Sequence, residues 1–341
     1  MSSILIITND HDEHADAVIH ELNKRSVQVL RFHPEEFPHA CSLSIEIRDG
    51  RIDGEIRNAD HGVGLSEICA AWYRRARNLF EGRRLSLTSE KLDNYVKAQS
   101  NAALVALCEN LETLWVGQPQ KLRRAEVKAL QLAEASKAGL KTPHTMISND
   151  PDQVSRFVDA LGDADCAIKP LIALGVTDEQ GYRLPLTTTL PPGHSLESAA
   201  LAPSIFQPYV EKAFELRCVV IGERIFCAKL DSQADETTRT DWRAGAPDHE
   251  VFVLPERVEA AIRRLMDSFA LNFASLDMIV TPEGEFVFLE LNPNGQWLWL
   301  ELELGLPLVA SMADLLTSNH TRAGGPTEAE AERRREVAHA S

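Results

Sequence analysis

The chain has 341 residues, 44% of them apolar, which is enough for two or three packed lobes and excludes general disorder. Its net charge of −16 argues against a nucleic-acid surface, so an anionic ligand would need a local cluster of Lys, Arg and backbone N–H groups. The six cysteines show no CxxC or Cys/His metal spacing, and Cys69, Cys108, Cys166, Cys218 and Cys227 sit among apolar neighbours as expected of buried free thiols. No signal peptide is evident and no apolar run reaches the ~18 residues of a membrane span, so a reducing cytoplasm is the expected compartment.

Residues 3–8 (SILIIT) read as a buried strand, followed by Asn9-Asp10-His11-Asp12 and a helix to about Arg25 with Val18, Ile19 and Leu22 on one face. A second strand at 27–32 gives a β-α-β start and predicts a parallel sheet with a right-handed crossover. No GxGxxG follows the first strand, so the dinucleotide fingerprint is absent. Alternation over 42–56 around Asp49-Gly50 predicts a hairpin. The strand at 68–73 runs into Trp72-Tyr73-Arg74-Arg75, either a solvated strand end or a site for an anion or acidic peptide. A helix over 89–111 and a strand at 114–116 complete a first lobe.

Gln118-Pro119 marks a linker, and 121–138 reads as one helix with Lys128 in its middle and Gly139 as its stop. A short strand at 145–147, a helix over 150–161 and a strand at 166–170 follow, the last carrying Lys169 at its end. The stretch 171–183, with Gly175 and Gly181, predicts a mobile loop, and 182–190 looks extended. In the strand at 204–210, Pro208 argues against a central position. Residues 215–230 read as a hairpin turning at Gly222-Glu223, with Glu215, Arg217 and Lys229 its charged members. A polar loop with Asp241-Trp242-Arg243, a helix over 255–271 and a last helix over 307–317 complete the pass. From 320 on, mixed small and charged residues predict a frayed tail.

Within this frame, 276–303 carries the chemistry. Two strands joined at Pro282-Glu283-Gly284 lead into a helix. Glu290 interrupts the apolar second strand, where an unpaired carboxylate is costly to bury. Asn292 lies two residues on and shares its side, and a hairpin brings Asp277 alongside. Two carboxylates and an amide oxygen form a hard-oxygen set suited to Mg²⁺, normally completed by phosphate oxygens. The plainer reading is a salt-bridged glutamate in an Asn-Pro turn. The 11 histidines form no HxxxH or HExxH, so none is expected to bind a metal.

The order Lys128, Lys169, Gln207-Pro208-Tyr209-Val210, Glu215/Arg217, then Asp277, Glu290 and Asn292 resembles the ATP-grasp superfamily over 119–318. Within it, Asn292-Pro293-Asn294-Gly295-Gln296-Trp297-Leu298-Trp299 is similar to the microviridin-type (graspetide) peptide maturases. Trp72-Tyr73-Arg74-Arg75, Phe206-Gln207-Pro208 and Asp241-Trp242-Arg243 agree with this, extending the resemblance to all but the tail. The resemblance implies an α/β chain of α+β lobes: an N-terminal parallel-sheet pre-ATP-grasp domain (1–118), a central ATP-grasp lobe (119–203), a C-terminal ATP-grasp lobe (204–319) and a flexible tail (320–341). It implies that Lys128 and Lys169 contact ATP phosphates, that Gln207, Pro208, Tyr209 and Val210 form the adenine hinge and that Glu215 accepts the ribose hydroxyls. Lys229 falls with this nucleotide set, and Asp277, Glu290 and Asn292 would hold Mg²⁺. Ser275 stands where some members carry an arginine, which leaves Arg217 and Arg243 as candidates to steady the acyl phosphate, since a guanidinium pairs bidentately with phosphoryl oxygens.

The implied reaction activates side-chain carboxylates of a ribosomal precursor peptide with ATP. It then joins them to Thr/Ser hydroxyls or Lys amines, giving macrocyclic esters or amides. A leader segment of the precursor serves recognition, no nucleic acid or membrane is involved, and a homodimer is expected. The rival enzyme is an ATP-grasp amino-acid ligase of the ribosomal-modification or glutathione-synthetase type. The rival from another class is a non-catalytic nucleotide- or peptide-binding module.

Overall fold

The computed structural model describes residues 2–74, 89–172, 175–178, 181–183, 186–190 and 196–318, so Arg75 and the tail from 320 lie outside the described residues. The chain forms two compact units, Met1–Leu122 with Gln296–Ser341, and Arg123–Gly295.

The first unit opens with β1 (Ser3–Ile7), α1 (Glu13–Lys24) and β2 (Gln28–Phe32). Asp12 caps α1, its side chain accepting from the backbone N–H groups of His14 and Ala15. β3 (Ser42–Arg48) and β4 (Arg51–Arg57) pair as the expected hairpin, with both Asp49 and Gly50 at positive φ, and β5 (Gly62–Gly64) adds a third strand. β6 (Ile68–Tyr73), α2 (Glu90–Asn110) and β7 (Leu114–Val116) complete it. The main sheet has the order β2-β1-β6-β7, all parallel, as the β-α-β start predicts. Every residue of β1 is buried, because the core lies against this sheet.

The helix read over 121–138 is two: α3 (Pro119–Ala125) and α4 (Lys128–Lys137). Lys128 therefore opens a helix instead of sitting in the middle of one. β8 (Met146–Ser148), α5 (Pro151–Ala160) and β9 (Cys166–Lys169) follow. The described part of the predicted loop contains a hairpin, β10 (Val176–Asp178) with β11 (Gly181–Arg183), and then β12 (Thr188–Leu190). β13 (Ser204–Pro208) is internal to the sheet order β12-β9-β13-β8, but Pro208 itself is paired on one side only, as its missing N–H requires. The proline is accommodated because β8 pairs only with 204–206 and β9 with 205–208, so β13 is two-sided only at Ile205 and Phe206.

β14 (Phe214–Ile221), β15 (Arg224–Leu230), β16 (His249–Val251), α6 (Glu256–Phe269), β17 (Phe273–Val280) and β18 (Phe286–Asn292) build the second sheet, ordered β16-β15-β14-β17-β18. Along α6, Val258, Ala261, Ile262, Leu265, Met266 and Phe269 are buried at the 3–4 residue spacing of one helical face. The chain then returns to the first unit as α7 (Leu298–Leu304) and α8 (Leu308–Thr317), where α8 packs on α1 and β6. All six cysteines are free thiols, five of them buried. Among the described residues no helix is long and apolar enough to cross a membrane.

Phe288 on β18 is fully buried. Phe288→Ala is expected to cost about 3–5 kcal/mol of stability, read as a lower denaturation midpoint, because the cavity left behind refills only in part. A shift under about 1 kcal/mol would contradict this packing.

Candidate active site

A cavity of about 370 Å³ opens within the second unit, in the range of small-molecule sites. Its lining includes the cations Lys128, Lys169, Lys212 and Arg243 and the anions Glu215, Asp241, Asp277 and Glu290. Gln207, Pro208, Tyr209, Val210 and Asn292 also line it, so most of the residues singled out from the sequence converge here.

The register of the second sheet explains the convergence. Arg217 stands directly opposite Asp277, and Asp277 opposite Glu290. A β-bulge between Asp277 and Met278 makes the second pairing: Met278 pairs with Phe288, so regular register would set Asp277 against Leu289. Ser275 pairs with Asn292, which puts the amide one step along the same ladder.

Two adjacent carboxylates repel, and each has its own cation. Arg217 Nη1 donates to both Asp277 oxygens at 2.9 Å. Lys128 Nζ lies 3.2 Å from Glu290 Oε2 and also donates to the Pro170 carbonyl at 3.2 Å. Burial pushes the Asp277 carboxyl up; the Arg217 guanidinium opposes this and the Glu290 carboxylate adds to it. Burial works the same way on Glu290, but Lys128, then Arg243 and Lys169, outweigh it and hold that carboxyl below its ordinary range. Lys169 is pushed down to about 8, chiefly by burial, with Glu290 opposing and the neighbouring Lys128 and Lys212 adding to the fall.

The remaining residues are equally constrained. Glu215, 4% exposed, accepts from Lys212 Nζ at 2.7 Å, and burial raises its carboxyl against that pairing. Arg243 grips Asp241 with two bonds, Nε to Oδ1 at 2.8 Å and Nη2 to Oδ2 at 2.6 Å, and this pairing raises its own pKa. Asn292 Oδ1 accepts from the Asn294 N–H at 3.0 Å, which orients the amide. Gln207 Nε2 donates to Thr145 Oγ1, and the Tyr209 N–H donates to the Asp165 carbonyl.

Three readings from the sequence are corrected. Lys229 does not reach the cavity: it pairs with Leu216 across the ladder, on the face opposite Glu215 and Arg217. Its Nζ instead meets Glu250 at 2.8 Å. Arg217 is 6% exposed and absent from the cavity lining; it holds Asp277 from behind. In the first unit Arg74 is neither a solvated strand end nor an exposed anion site. It is fully buried, donating from Nε to Asp12 at 3.1 Å and from Nη2 to Gln296 Oε1 at 3.3 Å.

Sequence reasoning missed Lys212 and Gln131. Lys212 carried no strand or helix signal, but a lysine three residues from the interesting Glu215 was a clue in hindsight. Gln131 is 3% exposed and its amide exchanges two hydrogen bonds with the Leu291 backbone, at 2.8 and 2.9 Å, as a strand neighbour would. It ties α4, and so Lys128, to β18 beside Glu290. No sequence signal marks such a pairing across 160 residues.

This is a nucleotide-sized site between two sheets, lined by cations interleaved with paired carboxylates. Residues 124–316 match the RimK-like ATP-grasp domain and residues 3–123 the MvdD pre-ATP grasp domain, so the chain belongs to the RimK-like ATP-grasp family and has the ATP-grasp fold with a pre-ATP-grasp domain. Among solved structures it is similar to a RiPP-associated ATP-grasp ligase of Chryseobacterium gregarium, solved with ADP and a leader and core peptide. The two are 29% identical with a TM-score of 0.86, covering 93% of this chain and 97% of that one. It is also similar to the macrocyclase MdnC of Microcystis aeruginosa MRC, solved with precursor peptide MdnA: 27% identity, TM-score 0.81, 93% and 99% coverage. A probable alpha-L-glutamate ligase 2 of Shewanella denitrificans is 28% identical over 174 residues, 50% of this chain and 55% of the relative. The chain thus spans about half the length of the curated relatives it matches.

Two predictions follow from the geometry. A Cβ on Gly295 would lie 2.5 Å from Ser275 Cβ and 2.9 Å from Arg217 Nη2, closer than atoms pack. Gly295→Ala is therefore expected to cost about 1–3 kcal/mol of stability, and an unchanged melting temperature would refute the close approach. Lys169 is charged in the folded protein only below about 8, whereas an unfolded lysine holds its proton to about 10.4. The unfolded state binds more protons in that window, so this residue makes stability rise with pH from about 8 to about 10.4. Lys169→Met should flatten that slope, and ¹³C-lysine NMR should place the titration near 8; an ordinary lysine pKa would overturn it.

Proposed function

We propose that this chain is an ATP-dependent ligase that cyclises a ribosomally made precursor peptide. The observation that carries the reading is the site itself, in which Asp277 and Glu290 line one cavity together with Lys128, Lys169 and Arg243. The likeness to the C. gregarium ligase over nearly the full length of both chains supports a peptide as substrate.

In this reading Lys128 and Lys169 bind the ATP phosphates. Pro208 has no N–H and that of Tyr209 is taken by Asp165, so the hinge at 207–210 would offer the Val210 N–H and backbone carbonyls to adenine. Glu215, steadied by Lys212, accepts the ribose hydroxyls. Asp277, Glu290 and Asn292 are a hard-oxygen donor set that fits Mg²⁺, and their charge is the kind a divalent cation balances. Bound Mg²⁺ would neutralise triphosphate charge. Arg217 orients Asp277 and acts as a positioning residue. Arg243, 38% exposed at its side chain, is placed to meet the substrate carboxylate or its phosphoryl group.

A carboxylate is a poor acyl donor because oxide would have to leave. Attack of the peptide carboxylate oxygen on the γ-phosphorus releases ADP and forms an acyl phosphate. The cations then hold the repelling anions in line. A Thr/Ser hydroxyl or Lys amine attacks the carbonyl carbon, phosphate leaves with the bonding electrons and the nucleophile loses its proton. Each ring costs one water. The three-lobe division at 118, 203 and 319, a homodimer and a cytoplasmic location belong to the same proposal. The curated relatives favour one second reading, ligation of L-glutamate to a protein.

Mass spectrometry of a precursor peptide incubated with the protein, ATP and Mg²⁺ separates these. ATP-dependent loss of water in whole steps is expected. A mass gain of one glutamate would move the answer to the amino-acid ligase, and neither change nor ATP turnover would leave a binding module. Glu290→Ala should lower turnover at least about 100-fold, since one lost ligand removes several kcal/mol of charge stabilisation. Near-wild-type turnover at saturating Mg²⁺ would refute the metal assignment.

A further inference from the structure

The loop after β1, Asn9-Asp10-His11-Asp12, has only part of its chemistry used by the α1 cap and the Arg74 pair. Asp10 is left over. It lies beside two residues that follow β2, the strand next to β1: His33, and Glu35 in the 3-10 turn Pro34–Glu36. All three sit at the carboxyl edge of the parallel sheet, where open α/β sheets present their loops to ligands. One nitrogen or oxygen from each lies within 4.8 Å of the others.

Glu35 makes this more than an acidic patch. The residue is 6% exposed, and among the described residues neither buried carboxylate oxygen accepts from an N–H or hydroxyl group of another residue; the Asp10 carboxyl lies within hydrogen-bonding reach. A carboxylate in that state is costly unless a cation or proton compensates it. Burial accordingly pushes its pKa up, and the nearby Asp10 carboxyl adds to the rise. His33 is already oriented: Nδ1–H donates to the Thr8 carbonyl at 3.1 Å, which leaves the lone pair on Nε2. A carbonyl on the far ring nitrogen is the usual support of a metal-binding imidazole.

We infer that Asp10, His33 and Glu35 form a second cation site, separate from the nucleotide cavity, that takes a divalent first-row transition ion such as Zn²⁺. Two carboxylates balance its charge, and an imidazole ligand favours such ions over Mg²⁺. Ligands about 2.0–2.2 Å from one ion sit roughly 3–3.5 Å apart, so the trio must close by about an ångström. Asp10, 46% exposed at its side chain, is free to make that movement. The site escapes motif searches because its ligands come from two loops, and none is spaced as on a single helix.

The test uses the full chain without nucleotide, stripped with chelator, loaded with Zn²⁺ and dialysed. Wild type is expected to retain about one equivalent and to melt higher with the ion than without. His33→Gln and Glu35→Gln, each shown folded by circular dichroism, should bind about 10–100-fold more weakly, whereas Glu290→Gln should retain the ion. His33→Gln keeps the test decisive if Glu35→Gln does not fold. Absence of retained Zn²⁺ in wild type, or equal retention in His33→Gln, would overturn the inference. Loss of the ion in Glu290→Gln alone would assign it to the nucleotide cavity and overturn it as well.

Discussion

The opposition of Asp277 and Glu290 across the β17–β18 ladder is the constraint on which the second unit depends. Two carboxylates side by side in a partly dry cavity repel strongly, because the local dielectric screens them poorly. The fold answers with cations from three other elements: Arg217 from β14, Lys128 from the start of α4 and Arg243 from the loop after β15. Glu290 is thereby held ionised, while Asp277 keeps a raised pKa against Arg217. The same arrangement makes the site receptive to a divalent cation and to the phosphates that travel with it.

Much of the surrounding structure keeps those charges in place. Gln131 bonds to both backbone groups of Leu291 and so fixes α4 against β18. The lack of a side chain at Gly295 lets the turn after β18 press on Ser275 and Arg217. Lys212 neutralises Glu215 in the cavity wall and reaches the Thr240 carbonyl, linking that wall to the loop of Asp241. In the first unit an independent network does similar work. Arg74, Asp12 and Thr8 form a buried chain of hydrogen bonds, and His14 Nε2 accepts from the N–H groups of both Trp297 and Leu298. An imidazole nitrogen that accepts twice must be unprotonated, so this contact specifies a neutral His14.

Sequence periodicity located the elements well because their signals are local. The β3–β4 hairpin turns at Asp49-Gly50, which tolerate positive φ, and α6 shows its apolar face as a clean helical repeat. Where neighbours decide, the reading was incomplete. Pro208 holds no central ladder position, as expected, yet its strand is internal because the partner β8 stops short of the proline. The helical composition of 121–138 hid a break at 126–127, which moves Lys128 to a helix start facing Glu290.

By itself the sequence determined most of the strands and helices and the hairpin that carries Asp277, Glu290 and Asn292. These follow from local preference, from alternation along a strand and from the cost of charge in an apolar run, whereas Lys128, Lys169 and Glu215 stand out through the resemblance to the ATP-grasp superfamily. Only the tertiary structure decided which charges meet. The bulge beside Asp277 sets the cross-strand register, and the pleat turns Lys229 away while Arg217 stays with the carboxylates. It also brought Lys212, Gln131 and the trio of Asp10, His33 and Glu35 into position. Such pairings depend on distances between residues far apart in the chain, and on the burial that makes an unpaired charge costly, neither of which a linear pattern encodes.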